Sequence, residues 1–233
     1  MTQATHKTAL IVGAGQGLSA SLARLFARAG MHVGLASRDV SKLKSLCDET
    51  GAVAFDCDVA DARQVERLFQ RVDERLSPLD VVVFNPGARV RGPFIDLRRD
   101  DVERALSITA MGGFLVAQEA ARRMLPRRFG AILFTGASAS VKGYPQSAPF
   151  AMAKFAVRGL AQSMARELAP QGIHVAHFVI DGAIRNPGRT EAAEPGDTML
   201  DPDAIAETYL HVLRQPKSAW TWEVELRPWT EKF

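Results

Sequence analysis

Thr8-Ala-Leu-Ile-Val12-Gly13-Ala-Gly15-Gln16-Gly17-Leu18 decides how this chain is read. Ala9, Leu10, Ile11 and Val12 form an unbroken apolar run, the mark of a parallel strand covered on both faces. Gly13, Gly15 and Gly17 follow at a spacing of two. Leu18, Leu22, Leu25, Phe26 and Ala29 then recur at helical spacing, and Gly30 closes that helix. Set between a buried strand and an amphipathic helix, the glycines have a geometric reason. The chain turns sharply there, and its backbone lets a phosphate come close. Free N–H groups and the positive end of the helix then favour the anion. The stretch predicts a phosphate-binding strand–turn–helix, with a tight turn that holds no ligand as the alternative.

Working outward, 233 residues suffice for one sizeable domain, and residues 1–233 read as one. A 47% hydrophobic and 24% charged composition fits a globular protein with a buried core. The net charge of +3 is mildly basic and does not demand nucleic acid. Arginines such as Arg63, Arg67, Arg122 and Arg123 are scattered as solvated helix faces. No apolar run has the length of a signal core or a membrane span, so a cytoplasmic protein without a membrane partner is expected. Cys47 and Cys57 are expected to be reduced, and with no CxxC or HExxH spacing no metal site is expected.

Strand and helix signals alternate to the end of the chain. His32–Ser37 reads as the second strand, and Asp39 caps a helix through about Thr50 that Gly51 stops. Ala52–Cys57 is the third strand, with Asp58 and Val59 at its end. Asp61 and Gln64 make a capping box for a helix whose stripe is Val65, Leu68, Phe69, Val72 and Leu76. Asp80–Phe84 is the fourth strand, closed by Asn85, Pro86 and Gly87. A loop with Arg89 and Arg91 leads to a long helix from about Asp101 to Leu125. Gly112 and Gly113 inside it each cost roughly 1 kcal/mol relative to alanine, which close helix packing would offset. Ala131–Phe134 is the fifth strand, Phe150–Ala169 a helix, and Ile173–Ile180 the sixth strand. Asp181–Leu200, rich in glycine, proline and charge, reads as a flap. Asp201 and Pro202 start a helix through about Leu213, and Trp220–Leu226 is a final strand. The alternation predicts an α/β fold: a single-domain, doubly wound parallel sheet with helices on both faces.

The chain resembles a short-chain dehydrogenase/reductase over nearly its full length. The glycine turn, Asp58-Val59, Asn85-x-Gly87-Ala88, the long glycine-bearing helix and Lys154 stand in the family's order and at its spacing. The resemblance implies a seven-stranded parallel Rossmann sheet with NAD(P) over the carboxyl ends of the strands. It also implies a small-molecule substrate and a homodimer or homotetramer paired through the two long helices. It assigns the cofactor's diphosphate to Gly13, Gly15, Gln16, Gly17 and Leu18, its adenine to Asp58 and Val59, and its inner ribose to Asn85 and Gly87. Within the motifs, Val12 replaces a threonine, Ser19 a glycine and Pro86 an asparagine. Readers of NAD carry a carboxylate at the end of the second strand. Here Ser37 and Arg38 stand there, and a guanidinium beside a hydroxyl suits a 2′-phosphate, while Asp39 is better placed as a helix cap. NADP(H) is expected ahead of NAD(H).

The chemical end departs from the family pattern, which is an Asn, a Ser, a Tyr and a Lys. The family's Tyr stands four residues before the Lys, so both face the nicotinamide. The lysine charge lowers the phenol's pKa, and the phenol exchanges a proton with the substrate oxygen. Here the lysine position is Lys154 and the tyrosine position is Phe150; the serine position falls on Ala137, and the asparagine position on Thr109. Ser138, Ser140 or Tyr144 would have to supply a hydroxyl, with Lys154 holding the nicotinamide ribose. The other reading is an NADP(H)-binding protein without the usual hydride chemistry: a sensor, scaffold or partner subunit. Phe150-Ala-Met-Ala-Lys154-Phe155-Ala156, the turn Ile180-Asp181-Gly182 and an aromatic tail with Trp220, Trp222, Trp229 and Phe233 resemble a divergent branch of the family.

Overall fold

Seven parallel strands carry the molecule: β1 (Thr8–Val12), β2 (His32–Ser37), β3 (Val53–Asp56), β4 (Val81–Phe84), β5 (Gly130–Thr135), β6 (Ile173–Ile180) and β7 (Glu223–Leu226). They lie in the order β3-β2-β1-β4-β5-β6-β7, the doubly wound sheet that the strand–helix alternation predicts. The computed structural model describes residues 6–187 and 198–231. Positions 188–197 of the expected flap, Phe233 of the aromatic tail and both ends of the 1–233 span lie outside the described residues.

Side chains on successive strand residues point to opposite faces. Ala9, Ile11, Val81, Val83 and Leu133 therefore pack under α1 (Leu18–Arg28), α2 (Lys44–Thr50) and α7 (Pro202–Leu213). Leu10, Val12, Val82, Phe84 and Phe134 pack under α3 (Ala62–Arg75), α5 (Gly112–Met124) and α6 (Ala148–Leu168). Val12 pairs with Ala36 on one side and with Phe84 on the other. The glycine turn, Ser37 and Asn85 thus leave the sheet side by side, where the strand order reverses. A ligand crevice opens at such a switch point.

Several local readings need correction. Asp39 does cap, accepting from the Ser41 amide at 3.1 Å, but it opens a 3₁₀ turn, and α2 begins only at Lys44. Asp61 accepts from the Arg63 and Gln64 amides, yet the capping box is half made. The Gln64 side chain accepts from the Asp58 amide at 2.9 Å instead of from Asp61. The long helix starts earlier, with α4 (Arg99–Leu106), and a π turn at Ser107–Met111 separates it from α5. Its glycines have the expected reason. A Cβ on Gly112 would lie 2.9 Å from Val59 Cγ2, and one on Gly113 would lie 3.3 Å from the Phe84 ring. Helix α6 begins two residues early because Pro149 suits a first turn. Strand β7 omits Trp220 to Trp222, and Trp220 stacks on His174 at 4.6 Å. Both cysteines are free, and burial beside Asp58 pushes the Cys57 thiol up to about 12, which keeps it inert. Among the described residues no helix is long and apolar enough to cross a membrane, and no three metal-ligating side chains converge.

Candidate active site

The glycine turn is built from both sides of the switch point. Gly13 leaves β1 at φ +79°, and its amide and that of Ala14 donate to the Ala36 carbonyl, both at 2.9 Å. A Cβ on Gly13 would lie 2.8 Å from the Pro86 ring, so Pro86 closes over the turn. Ser19 donates to the Gly13 carbonyl at 3.1 Å and accepts from Asn85 Nδ2 at 2.8 Å. The serine that replaces a glycine therefore ties the turn to the end of β4. Around Gly15 and Gly17 the situation is the opposite. A Cβ on Gly15 would meet nothing within 4 Å, and one on Gly17 would meet only Asn186 Cβ at 3.7 Å. The first amides of α1, which have no helical acceptor, open into that space. A diphosphate fits it, and a side chain would fill it. Gln16 is exposed on the turn, and Leu18 is buried in the core, so only its backbone faces the space.

Beside the turn lies a cleft lined by Gly13, Ser37, Arg38, Asp58, Val59, Asn85 and Gly87. Asp39 does not compete for it. The Ser41 hydroxyl and the Lys42 ammonium hold its carboxyl below the usual carboxylate range, and both belong to the same 3₁₀ turn. Asp58 accepts from the Ala60 amide at 3.1 Å, so it also caps a turn. Val59 separates this cleft from Gly112 of α5.

A second cleft shares Asn85 with the first and continues past Gly17, Gly136 and Ala137 to Arg89. A third shares Arg89 and Ala137 with the second, and Arg91, Ser138, Tyr144, Ser147 and Phe150 also line it. The shared residues make the three one run along the carboxyl ends of the strands.

Behind its lining Lys154 is buried: its Nζ donates to the Thr135 carbonyl at 2.7 Å and lies 3.5 Å from where a Cβ on Gly87 would stand. Burial, reinforced by the charge of Arg89, pushes this amine down to about 8. The Thr135 hydroxyl pairs with the Tyr209 hydroxyl at 2.8 Å, and Tyr209 is buried against Phe178, so α7 props the lysine's partner. Phe150, the residue expected at the tyrosine position, has its ring centroid 6.0 Å from Nζ. The Arg89 guanidinium sits 4.9 Å over that same ring. Thr109, the residue expected at the asparagine position, is fully buried in the π turn and accepts from the Ala88 amide at 3.1 Å. Of the three candidate hydroxyls, Ser140 is buried and accepts from the Ala137 amide, so it supports the loop and does not line the cleft. Ser138 and Tyr144 do line it. Ser138 also bonds to Asp181; burial opposes that carboxyl's ionisation, but Lys142 and Ser138 outweigh it and hold the group low.

Arg89 and Arg91 were no part of the expected site. The available signal was two cations two apart, directly after an Asn-x-Gly turn at a strand end. The π turn left no signal in the sequence.

The sequence pattern that defines the short chain dehydrogenases matches residues 7–194. An uncharacterised oxidoreductase of Staphylococcus aureus strain N315 is 28% identical over 235 residues, covering 98% of this chain and 100% of that protein. A crystal structure of a short-chain dehydrogenase from Rhodopseudomonas palustris is similar with a TM-score of 0.83 at 35% identity, covering 97% of this chain and 100% of that one. An alcohol dehydrogenase from the archaeon Thermococcus sibiricus, complexed with 5-hydroxy-NADP, is similar with a TM-score of 0.84 at 26% identity, covering 97% and 98%.

Proposed function

This chain belongs to the short-chain dehydrogenase family and is an oxidoreductase of that type, and we propose that it uses NADP(H) on a small carbonyl or alcohol through a site without the family's tyrosine. The observation that carries this reading is the run of three clefts joined by Asn85, Arg89 and Ala137, with open space at Gly15 and Gly17 and the buried amine of Lys154 behind Gly87 and Phe150. Ser37 and Arg38 at the far end, with Asp39 engaged elsewhere, support the phosphorylated cofactor. So does the 5-hydroxy-NADP complex of the archaeal alcohol dehydrogenase.

The nicotinamide, when bound, supplies or accepts the hydride. The amides at the start of α1 hold the diphosphate, and Arg38 with Ser37 holds the 2′-phosphate. Asp58 and Val59 border the adenine, and Asn85 and Gly87 the inner ribose. Lys154 holds the nicotinamide ribose, and its partner Thr135 fixes where the amine points. Tyr144 or Ser138 exchanges the proton with the substrate oxygen. Half-exposed Met111 and Phe114 on one long helix, with Met152 and Phe155 on the other, support pairing of subunits there.

One observation favours the non-catalytic alternative. Phe150 has no proton to give, and a guanidinium covers its ring. Fluorescence titration with NADPH and NADH tests the cofactor, and NADPH oxidation over a panel of carbonyl compounds tests the chemistry. Turnover by the parent that falls on the order of 10²-fold in Tyr144→Phe, with NADPH affinity unchanged, identifies the donor. Turnover that appears only in Phe150→Tyr identifies a binding protein.

A further inference from the structure

Among the described residues the third, outer cleft is lined by charge of one sign. Arg89 and Arg91 leave the end of β4 two residues apart and both line it. Its other polar walls are the neutral hydroxyls of Ser138, Tyr144 and Ser147, and among the described residues no acidic side chain lines it. Asp181, which bonds to Ser138, is 1% exposed and is bound by Lys142 at 2.8 Å and Arg227 at 3.5 Å. Two like charges in a concave, partly apolar cleft focus a positive field on whatever enters.

Arg89 also has a fixed platform. Its guanidinium lies 4.9 Å over the Phe150 ring, within the range of a cation–π contact. Phenylalanine thus has a use at a position where a phenol is lost: it seats a permanent cation at the mouth of the reaction site. A guanidinium presents two parallel N–H donors that match the two oxygens of a carboxylate. Arg89 borders both the inner and the outer cleft, and Arg91 the outer one alone. A substrate with its reacting carbon inward and its charge outward matches that order.

From this we propose that the substrate is a small oxo acid or hydroxy acid, with its carboxylate recognised by Arg91 and Arg89. The proposal rests on the NADP(H) oxidoreductase reading above, and the test separates the two. NADPH and NADP⁺ are first titrated against the whole chain. The NADP⁺ complex is then titrated by calorimetry with pyruvate, 2-oxobutanoate, 4-oxopentanoate and 5-oxohexanoate, each beside its methyl ester. The same is done for Arg91→Gln and Arg91→Lys, and for dihydroxyacetone phosphate beside dihydroxyacetone. At least one acid binds tenfold or more tightly than its ester. Arg91→Gln shrinks that ratio to within twofold, Arg91→Lys restores part of it, and the affinity for NADP⁺ stays within twofold in both. Esters that bind as well as their acids throughout, or an acid preference that survives Arg91→Gln, overturn the proposal while NADP⁺ binding leaves the cofactor reading standing. Discrimination of the phosphate pair with none among the carboxylates overturns it too. A parent that binds neither NADPH nor NADP⁺ removes both readings.

Discussion

Gly15→Ala separates a glycine kept for a ligand from one kept for the fold. Gly15 has no positive φ, and a Cβ on it would meet nothing within 4 Å. Alanine there narrows the unfolded ensemble and strains nothing, a gain of about 0.4–1 kcal/mol. For a chain of this size that raises Tm by about 1–3 °C. The same methyl group occupies the space in front of the α1 amides. Losing one charge-assisted hydrogen bond to a diphosphate, about 1.5–3 kcal/mol, weakens NADPH binding roughly 10- to 100-fold. Gly13→Ala is the control with the opposite sign. At φ +79° and 2.8 Å from Pro86 it costs on the order of 1–3 kcal/mol and lowers Tm. The assay is thermal unfolding of the three proteins without cofactor, followed by NADPH fluorescence titration. A Gly15→Ala protein that melts several degrees early refutes the claim that the cradle is open. One that binds NADPH like the parent refutes the claim that the diphosphate lies there.

Lys154→Met removes a pH dependence of stability. The folded amine is pushed down to about 8 from an ordinary 10.5, so between those values the unfolded chain binds the proton that the folded chain does not. Stability from this group is therefore fully present above pH 10.5 and is lost as pH falls through 8; urea melts at pH 7.5 and 9.5 show the parent gaining relative to the variant, and parallel changes count against it. Gly112→Ala forces a methyl group to 2.9 Å from Val59 and costs about 1–3 kcal/mol, seen as a Tm lowered by several degrees; an unchanged Tm means that α5 slides freely over β3's exit. Arg38→Glu puts a carboxylate beside Ser37, so the ratio of NADPH to NADH affinity falls at least tenfold; an unchanged ratio removes Arg38 from the phosphate site.

The sheet was legible because most of its strands are short apolar runs punctuated by glycine, proline or aspartate, whereas β7, Glu-Val-Glu-Leu, alternates and had its start misplaced. Sequence could even give the reason for Gly112 and Gly113, since a glycine pair in a helix implies a close neighbour. It could not name Val59 and Phe84 as those neighbours, because they arrive from the turn after β3 and from the end of β4. Nor could it tell that the Gln64 side-chain oxygen accepts from the Asp58 amide and not from that of Asp61, while its Nε2 donates to the Asp61 carboxylate. Side-chain hydrogen bonds choose among nearby backbone amides by a few tenths of an ångström, which no residue spacing encodes. Ser19 is the sharper case. In the sequence it is a departure from the family's glycine, and in the fold it makes a bond between Gly13 and Asn85 that glycine cannot make.

The two halves of the run differ in how they are written. The proposed phosphate half depends on side chains that are missing, and a missing side chain is visible in a sequence as glycine at a strand end. The chemical half depends on where long side chains on loops come to rest. Lys154 was readable because a helix carries it at a fixed offset from Phe150. Arg89 was not, because the loop after Gly87 sets its direction, and its stacking on the Phe150 ring is not written in the spacing. Substituting Phe150 therefore acts on two things at once. Phe150→Tyr offers a hydroxyl and keeps the ring under the guanidinium, whereas Phe150→Leu removes the platform and offers nothing. If the phenylalanine serves only as a lost tyrosine, Phe150→Leu leaves affinity for anionic ligands unchanged. If it seats Arg89, that affinity falls in Phe150→Leu and survives in Phe150→Tyr, and calorimetry with a carboxylate on the NADP⁺ complex reads the difference.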